Sequence, residues 1–247
     1  MKMAEVTFDF SGKKFIVTGA SSGMGRQITR ELALAGAEVL AIARRLPELK
    51  ELQAEYPEHI TIASVDVTDY NGVEKALSAF VQEKGKLHGS IHAAGILTFT
   101  PLRAFDEIQA KKMMDISFWA GINLLQVVTK KKYSVESTSH VQFSSVSAWK
   151  GQKGLSAYSA TKGAAQAGMR SIAKEIAERG HRVNVVSPGW VNTDMTRDLL
   201  TNDTIAKEHL LGIGKPEDVS GMVLFLLSDR AQWITGADFV VDGGYLA

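Results

Sequence analysis

The 247-residue chain contains no cysteine. Disulfides, thiolate metal sites and a cysteine nucleophile are therefore excluded, and the composition fits a reducing compartment. Neither sign of charge is in excess. Lys and Arg number 28 against 27 Asp and Glu, a net charge of +1, which gives no electrostatic argument for nucleic acid or an acidic membrane as partner. No run reaches the ~18 apolar residues of a membrane span, and the opening stretch MKMAEVTFDFSGKK lacks the apolar core of a secretory signal. A cytoplasmic protein is the expectation. No internal repeat, low-complexity tract or linker divides the sequence, so residues 1–247 are expected to form one domain.

What is present is an alternation. Short β-branched runs at 14–19, 38–43, 60–66, 89–95, 139–145, 182–188 and 238–244 read as strands. Helical patterns lie between them, the longest over 155–179. In the first helical pattern, 25–37, Ile28, Leu32 and Ala35 share one side and Gly36 lies past the end. Continuous apolar strands separated by helices imply a parallel sheet covered on both faces. The run Lys130–Lys131–Lys132 reads as a solvated turn suited to a helix C-terminus.

The turn TGASSGMG, 18–25, links the first strand to the first helix. Gly19, Gly23 and Gly25 allow a tight turn and close approach of a ligand to the backbone. The helix behind them offers free N–H groups and the positive end of its dipole, a site for phosphate. Thr18, Ser21, Ser22 and Met24 complete this turn. The second strand ends in Ala43–Arg44–Arg45, with no acid to hold a ribose 2′-hydroxyl. Arginine pairs well with a 2′-phosphate, so NADP(H) is expected over NAD(H), with Arg44 and Arg45 as the discriminating pair. Asp66, ending the third strand, and Val67 beside it would meet the adenine, although Asp66 could instead lead a helix.

Tyr158 and Lys162 lie four apart in the longest helical pattern and so share a face. A cation near a phenol favours the phenolate and lowers the phenol's pKa. Such a phenol could protonate a carbonyl oxygen or deprotonate an alcohol near neutral pH. Ser145 lies thirteen residues earlier, at the C-terminal end of a strand, where open α/β sheets bind ligands.

With these motifs in order, the chain resembles the short-chain dehydrogenase/reductase family over nearly its whole length, nearest to the 3-oxoacyl-acyl-carrier-protein reductase-like branch. The match runs through the glycine turn at 18–25, Ser145, the Tyr158/Lys162 pair, SPG at 187–189 followed by Thr193, and the closing DFVVDGG. The resemblance implies a Rossmann-type doubly wound sheet of about seven parallel strands. Tyr158 would be general acid and base, and Lys162 would hold the nicotinamide ribose and lower the Tyr158 pKa. Ser145 would steady the substrate oxygen, and Pro188, Gly189, Val191 and Thr193 would pack beside the nicotinamide. Ala93, Ala94 and Gly95 would meet the adenosine side. The partner would be a small carbonyl or alcohol, and the assembly a homotetramer or dimer.

Two positions depart from the family pattern. His92–Ala93–Ala94–Gly95 stands where the family has two asparagines before Ala-Gly, and Ser117 stands where it has a catalytic asparagine that holds a water. A serine hydroxyl binds a water with different geometry, which puts proton delivery in question. His88 and His92 are four apart, but on a strand with no third ligand in view, so no metal is expected. Substrate contacts are expected from 148–156 and a lid over about 190–214, with Trp149, Trp190 and Met195 as apolar walls and Lys150 or Lys153 meeting an acidic group. An oxoacyl thioester, a sugar, a polyol and a cyclic alcohol all remain open as substrates. A catalytically weak NADP-binding sensor or partner subunit is the alternative from another class.

Overall fold

The computed structural model describes residues 7–197, 199 and 207–247. Seven parallel strands form one sheet in the order β3-β2-β1-β4-β5-β6-β7. They are β1 (Lys14–Thr18), β2 (Glu38–Ala43), β3 (Ile60–Ser64), β4 (Leu87–His92), β5 (Ser134–Phe143), β6 (Arg182–Pro188) and β7 (Asp238–Val241). The order reverses between β1 and β4, which neighbour each other in register from Phe15/Gly89 to Thr18/His92. That reversal opens a crevice at the strands' C-terminal ends, the usual ligand position in such sheets.

Helices α1 (Gly23–Leu34), α2 (Leu46–Glu55), α3 (Tyr70–Lys84), α4 (Glu107–Met114), α5 (Ala120–Val128), α6 (Ser156–Ile176) and α7 (Pro216–Leu227) cover the sheet. Two large apolar cores result, with a small third cluster of Met113, Leu155 and Tyr158 beside them. One holds Val17, Ile28, Leu32, Val39, Val141, Val186 and Val223. The other holds Ile16, Leu40, Ile42, Leu77, Leu124, Met169 and Val185. Neighbours such as Ile16 and Val17 go to opposite cores because side chains alternate across a strand. Caps mark the helix starts: Asp69 accepts from the Gly72 N–H, and Asp106 from the Gln109 N–H, both at 3.0 Å.

The strand expectations for 38–43 and 182–188 agree with the structure residue for residue, while others shift at their ends. The fifth strand starts at Ser134 rather than 139. Its pairing with β4 is irregular between Leu87 and Gly89, and Ser137 sits at φ 60°. Hydrophobic alternation does not reveal a strand interrupted in this way. Lys130 and Lys132 follow α5 and pair with Glu74 on α3 at 3.3 and 3.2 Å. Among the described residues, no helix is long and apolar enough to cross a membrane.

Candidate active site

The glycine turn lies at the mouth of the crevice. Gly19 has φ +74°, and a Cβ there would come within 2.7 Å of the Ala94 nitrogen. A Cβ on Gly25 would overlap the Gly19 carbonyl oxygen. Only glycine lets β1, the turn after β4 and the start of α1 come this close. Ser22, extended at the head of α1, makes no side-chain cap, and the first turn of α1 carries no acid. Its N–H groups therefore keep their capacity for an anion.

One cleft brings most of the expected residues together. Gly19, Ser21, Ser22, Gly23, Met24, Gly25, Arg44, Arg45, Asp66, Val67, Ala93, Ala94, Gly95, Ser145, Tyr158, Pro188, Gly189, Val191 and Thr193 line it. Ile96, Leu97, Ile116 and Thr196 also line it, although nothing in the sequence singled them out. Each is a sequence neighbour of a motif residue, which is the one signal that could have found them. Arg45 donates from Nε and Nη2 to the Ser21 hydroxyl at 3.2 and 3.1 Å, which fixes it beside the glycine turn. Arg44 lies 3.8 Å from Asp66. Asp66 accepts from both the backbone N–H and the hydroxyl of Thr68, at 2.9 and 2.7 Å. Its pKa is lowered because these bonds and Arg44 together outweigh its burial. Asp66 thus closes a local turn with Thr68, while the cap of α3 is Asp69, and Asp66 keeps its place in the cleft lining.

Thr18 does not face the cleft. Its hydroxyl is buried and lies 2.8 Å from Nδ1 of His92, a core hydrogen bond beneath the glycine turn. His88 receives the Lys14 N–H on Nδ1 at 3.1 Å, and His92 uses both ring nitrogens within the fold. No group of three His, Asp or Glu side chains among the described residues could hold a metal ion.

The end of β5 brings the catalytic candidates together. Ser145 is the cap of a short 3-10 turn, Val146–Ala148, and its hydroxyl accepts from the Ser147 N–H at 3.1 Å. Tyr158 sits in the first turn of α6 and hydrogen-bonds Ser145. One turn on, the Lys162 ammonium donates to the Phe143 carbonyl at 3.1 Å. The expectation that Lys162 lowers the Tyr158 pKa is not met by the protein's own groups. Burial pushes the phenol up to about 12, with the Ser145 hydrogen bond opposing. Burial likewise pushes Lys162 down to about 8. Both side chains are less than one-tenth exposed, and desolvation of each charged form dominates.

Ser117 lies in a π-helical turn, Asp115–Trp119, between α4 and α5. Such insertions often occur at functional sites. Its hydroxyl is buried and has no partner. A Cβ on Gly95 would lie 3.2 Å from this oxygen and 3.7 Å from the Lys162 nitrogen, so the two groups flank one glycine.

On the substrate side, Met195 lines the cleft and Trp149 is exposed. Lys150 meets an acid of the chain itself, Glu208, at 3.0 Å and lies over the Tyr245 ring. Lys153 is exposed. Part of the expected lid, residues 198, 200 and 201–206, lies outside the described residues. The sequence reading missed the clamp beside it, where Gln152 donates to the Tyr245 hydroxyl at 2.9 Å and His209 stacks on the Tyr245 ring.

The fold and cleft define a doubly wound dinucleotide-binding protein. A family model described as enoyl-(acyl carrier protein) reductase matches residues 19–246. The chain belongs to the short-chain dehydrogenase/reductase family, whose members bind nicotinamide cofactors, and is an oxidoreductase acting on carbonyl and alcohol groups. It is 33% identical to carbonyl reductase family member 4 of Xenopus laevis, over 92% of this chain and 95% of the relative. It is 31% identical to a 3-oxoacyl-(acyl-carrier-protein) reductase of Thermotoga maritima, over 94% and 97%, and 32% identical to L-xylulose reductase of Caenorhabditis elegans, over 96% and 97%. Among solved structures, a short-chain dehydrogenase titled glucose/ribitol dehydrogenase from Brucella melitensis matches with a TM-score of 0.92 at 27% identity, covering 97% of this chain and 99% of that one.

Proposed function

We propose that this protein is an NADP(H)-dependent reductase of ketones, working reversibly on secondary alcohols, with Ser145, Tyr158 and Lys162 as its catalytic residues. The observation that carries the reading is the meeting of Ser145 and Tyr158 with the glycine turn in one cleft, with the Lys162 ammonium directly behind.

The residues present fit a dinucleotide. The glycine turn leaves space that a Cβ at Gly19 or Gly25 would close, and α1 offers uncapped N–H groups for a pyrophosphate. Arg44 and Arg45 would receive a 2′-phosphate at the end of β2, where no acid stands. Pro188, Gly189, Val191 and Thr193 would flank the nicotinamide. The cofactor supplies a hydride equivalent to the carbonyl carbon when bound.

The chain's own part is proton chemistry. Ser145 donates a hydrogen bond to the carbonyl oxygen as negative charge grows there. Tyr158, a neutral phenol at working pH, gives its proton to that oxygen, and in oxidation the phenolate takes it back. Lys162 stabilises the phenolate that the transfer leaves behind. The unpartnered Ser117 hydroxyl holds a water between Lys162 and solvent, in the place of the family's asparagine, and so returns the proton. The enzyme is proposed to work as a soluble cytoplasmic homo-oligomer.

A 3-oxoacyl thioester is the first substrate class to test, on the strength of the Thermotoga relative. A keto sugar is the second, since the Caenorhabditis L-xylulose reductase is equally similar. The experiment is to follow loss of the reduced-nicotinamide absorbance across oxoacyl thioesters, keto sugars and cyclic ketones. Turnover on any class supports a reductase. Tight NADPH binding with no turnover on all three, unchanged by Tyr158→Phe, overturns it in favour of a sensor.

A further inference from the structure

His92 occupies a position that the proposed chemistry does not use, yet its imidazole joins the two halves of the site. It ends β4, and across the sheet Thr18 on β1 and Gln142 on β5 stand beside it in register. Neighbouring residues in register on parallel strands face the same side, so the three form a polar row under the crevice. The ring is 2% exposed, and both nitrogens are used. Nε2 lies 2.9 Å from the main-chain carbonyl oxygen of Ile116, which can only accept, so Nε2 carries the proton and donates. Nδ1 then accepts from the Thr18 hydroxyl at 2.8 Å. Space for the ring comes from Gly121, where a Cβ would lie 3.0 Å from the His92 Cδ2 and would overlap the Gln142 side-chain oxygen.

The two partners of the ring matter because of where they lie. Thr18 is the last residue of β1, directly before Gly19 of the glycine turn. Ile116 lies in the π-helical turn, directly before Ser117. The imidazole thus spans from the phosphate turn to the backbone that aims the unpartnered Ser117 hydroxyl towards Gly95 and Lys162.

We propose that His92 is a positioning residue: by donating from Nε2 to the Ile116 carbonyl while accepting from Thr18, it holds the π-helical turn so that Ser117 stays beside Lys162. The proposal rests on the proton-return role given above to Lys162 and Ser117. A serine is shorter than an amide side chain, so its placement depends more strictly on the backbone that carries it. A neutral ring is required. Burial, with Lys162 as the nearby charge, pushes His92 down to about 4, so the ring stays neutral through the working range.

The test compares three substitutions, using the wild-type protein and whichever ketone it reduces. His92→Leu removes both bonds at similar size. His92→Gln puts an amide nitrogen near the place of Nε2, and His92→Asn puts one near the place of Nδ1. The expected result for His92→Leu is a fall in kcat of about 10- to 100-fold, the scale of a small misplacement of reacting groups. The KM for NADPH should stay within about 3-fold, as the glycine turn itself is intact. His92→Gln should recover most of the kcat and His92→Asn should not. Equal kcat in all three, or recovery by Asn as good as by Gln, overturns the Ile116 tie. Histidine ¹⁵N chemical shifts of the wild-type protein, assigned through bonds from the His92 backbone, test it without reliance on a variant's folding or on activity. A neutral Nε2–H tautomer that does not titrate down to about pH 5 is expected, and an Nδ1–H tautomer or an imidazolium at neutral pH overturns it. If the wild type reduces no ketone, the function reading fails, while the tautomer still decides the hydrogen bonds of His92.

Discussion

The Lys162 ammonium lies 5.6 Å from the centre of the Tyr158 ring and donates to the Phe143 carbonyl at 3.1 Å. The two catalytic candidates are therefore neighbours that the protein keeps apart in ionisation. Burial holds the phenol up at about 12 and the ammonium down at about 8. A phenol held protonated is ready to donate, and its loss should remove the donor and little else. Tyr158→Phe is expected to leave NADPH affinity within a few-fold and to lower kcat by about 10²–10⁴-fold. Fluorescence titration and steady-state rates check both halves, and a kcat within a few-fold of wild type would remove the acid assignment.

Lys162 also has a consequence for stability. Its folded pKa, about 8, lies below the ordinary 10.5, so the unfolded chain holds the proton more tightly. Below pH 8 both states are protonated and the fold carries a buried cation. As pH rises from 8 to 10.5 the folded lysine is neutral while the unfolded one is still charged, so stability climbs through that window. Tyr158 acts oppositely and only higher, from 10 to 12, where the unfolded phenol ionises first. Lys162→Met should therefore be more stable than wild type at pH 7, by up to about 3 kcal/mol. The gap should shrink by pH 10. Urea midpoints at the two pH values measure it, and a variant less stable than wild type at pH 7 would contradict the buried-cation account.

The buried histidines give the acid limb. His92 and His140 are held near 4 and 3 by burial, well below 6.5. Their neutral forms contribute stability that is present above pH 6.5 and is lost as pH falls through the folded values. Asp238, raised by burial, opposes this, because its folded form takes up a proton first as pH falls. Stability should decline between pH 6.5 and 4 by about 1.4 kcal/mol per pH unit for each histidine in its window. Denaturant midpoints through this range should show less decline in His140→Gln than in wild type, and equal slopes would exclude His140.

Much of this site is legible in the sequence because it sits where local chain rules act. The glycine turn, the Ser145 strand end and the Tyr158/Lys162 helix face each follow from spacing within one segment, and the first two and Tyr158 line one cleft with Lys162 buried behind it. What spacing could not show is the balance of burial against charge. The one-turn separation of Tyr158 and Lys162 suggests a lowered phenol pKa, yet desolvation of the two buried groups sets the direction of both shifts. Long-range side-chain partners were equally hidden. Thr18 reads as part of the phosphate turn, but its hydroxyl turns to His92, 74 positions away. The Tyr245 clamp joins residues 93 apart and leaves no periodic trace.

The arginines at the end of β2 can be separated by experiment. Arg45 is held by Ser21, while Arg44 is more exposed and faces Asp66 at 3.8 Å. Arg44→Ala is expected to raise the NADPH dissociation constant by at least about 10-fold, on the scale of a charge-assisted bond to phosphate. The NADH value should change less than about 2-fold. Equal losses for the two cofactors would remove the 2′-phosphate role and leave Arg44 as a partner of Asp66 alone.

Gly25 supplies the strictest steric test. Its missing Cβ is what admits the Gly19 carbonyl oxygen, and that oxygen belongs to backbone rather than to a side chain that could swing aside. Gly163, in the middle of α6, has nothing within 4 Å of its Cβ position and provides the control. Gly163→Ala should be neutral or stabilising by about 1 kcal/mol, since alanine favours a helix interior. Gly25→Ala must displace either the turn or the start of α1, so it should weaken binding of NADPH and NADH alike and lower the thermal midpoint. If calorimetry and titration find Gly25→Ala indistinguishable from Gly163→Ala, the close packing of the turn on α1 is not what shapes the cofactor cleft.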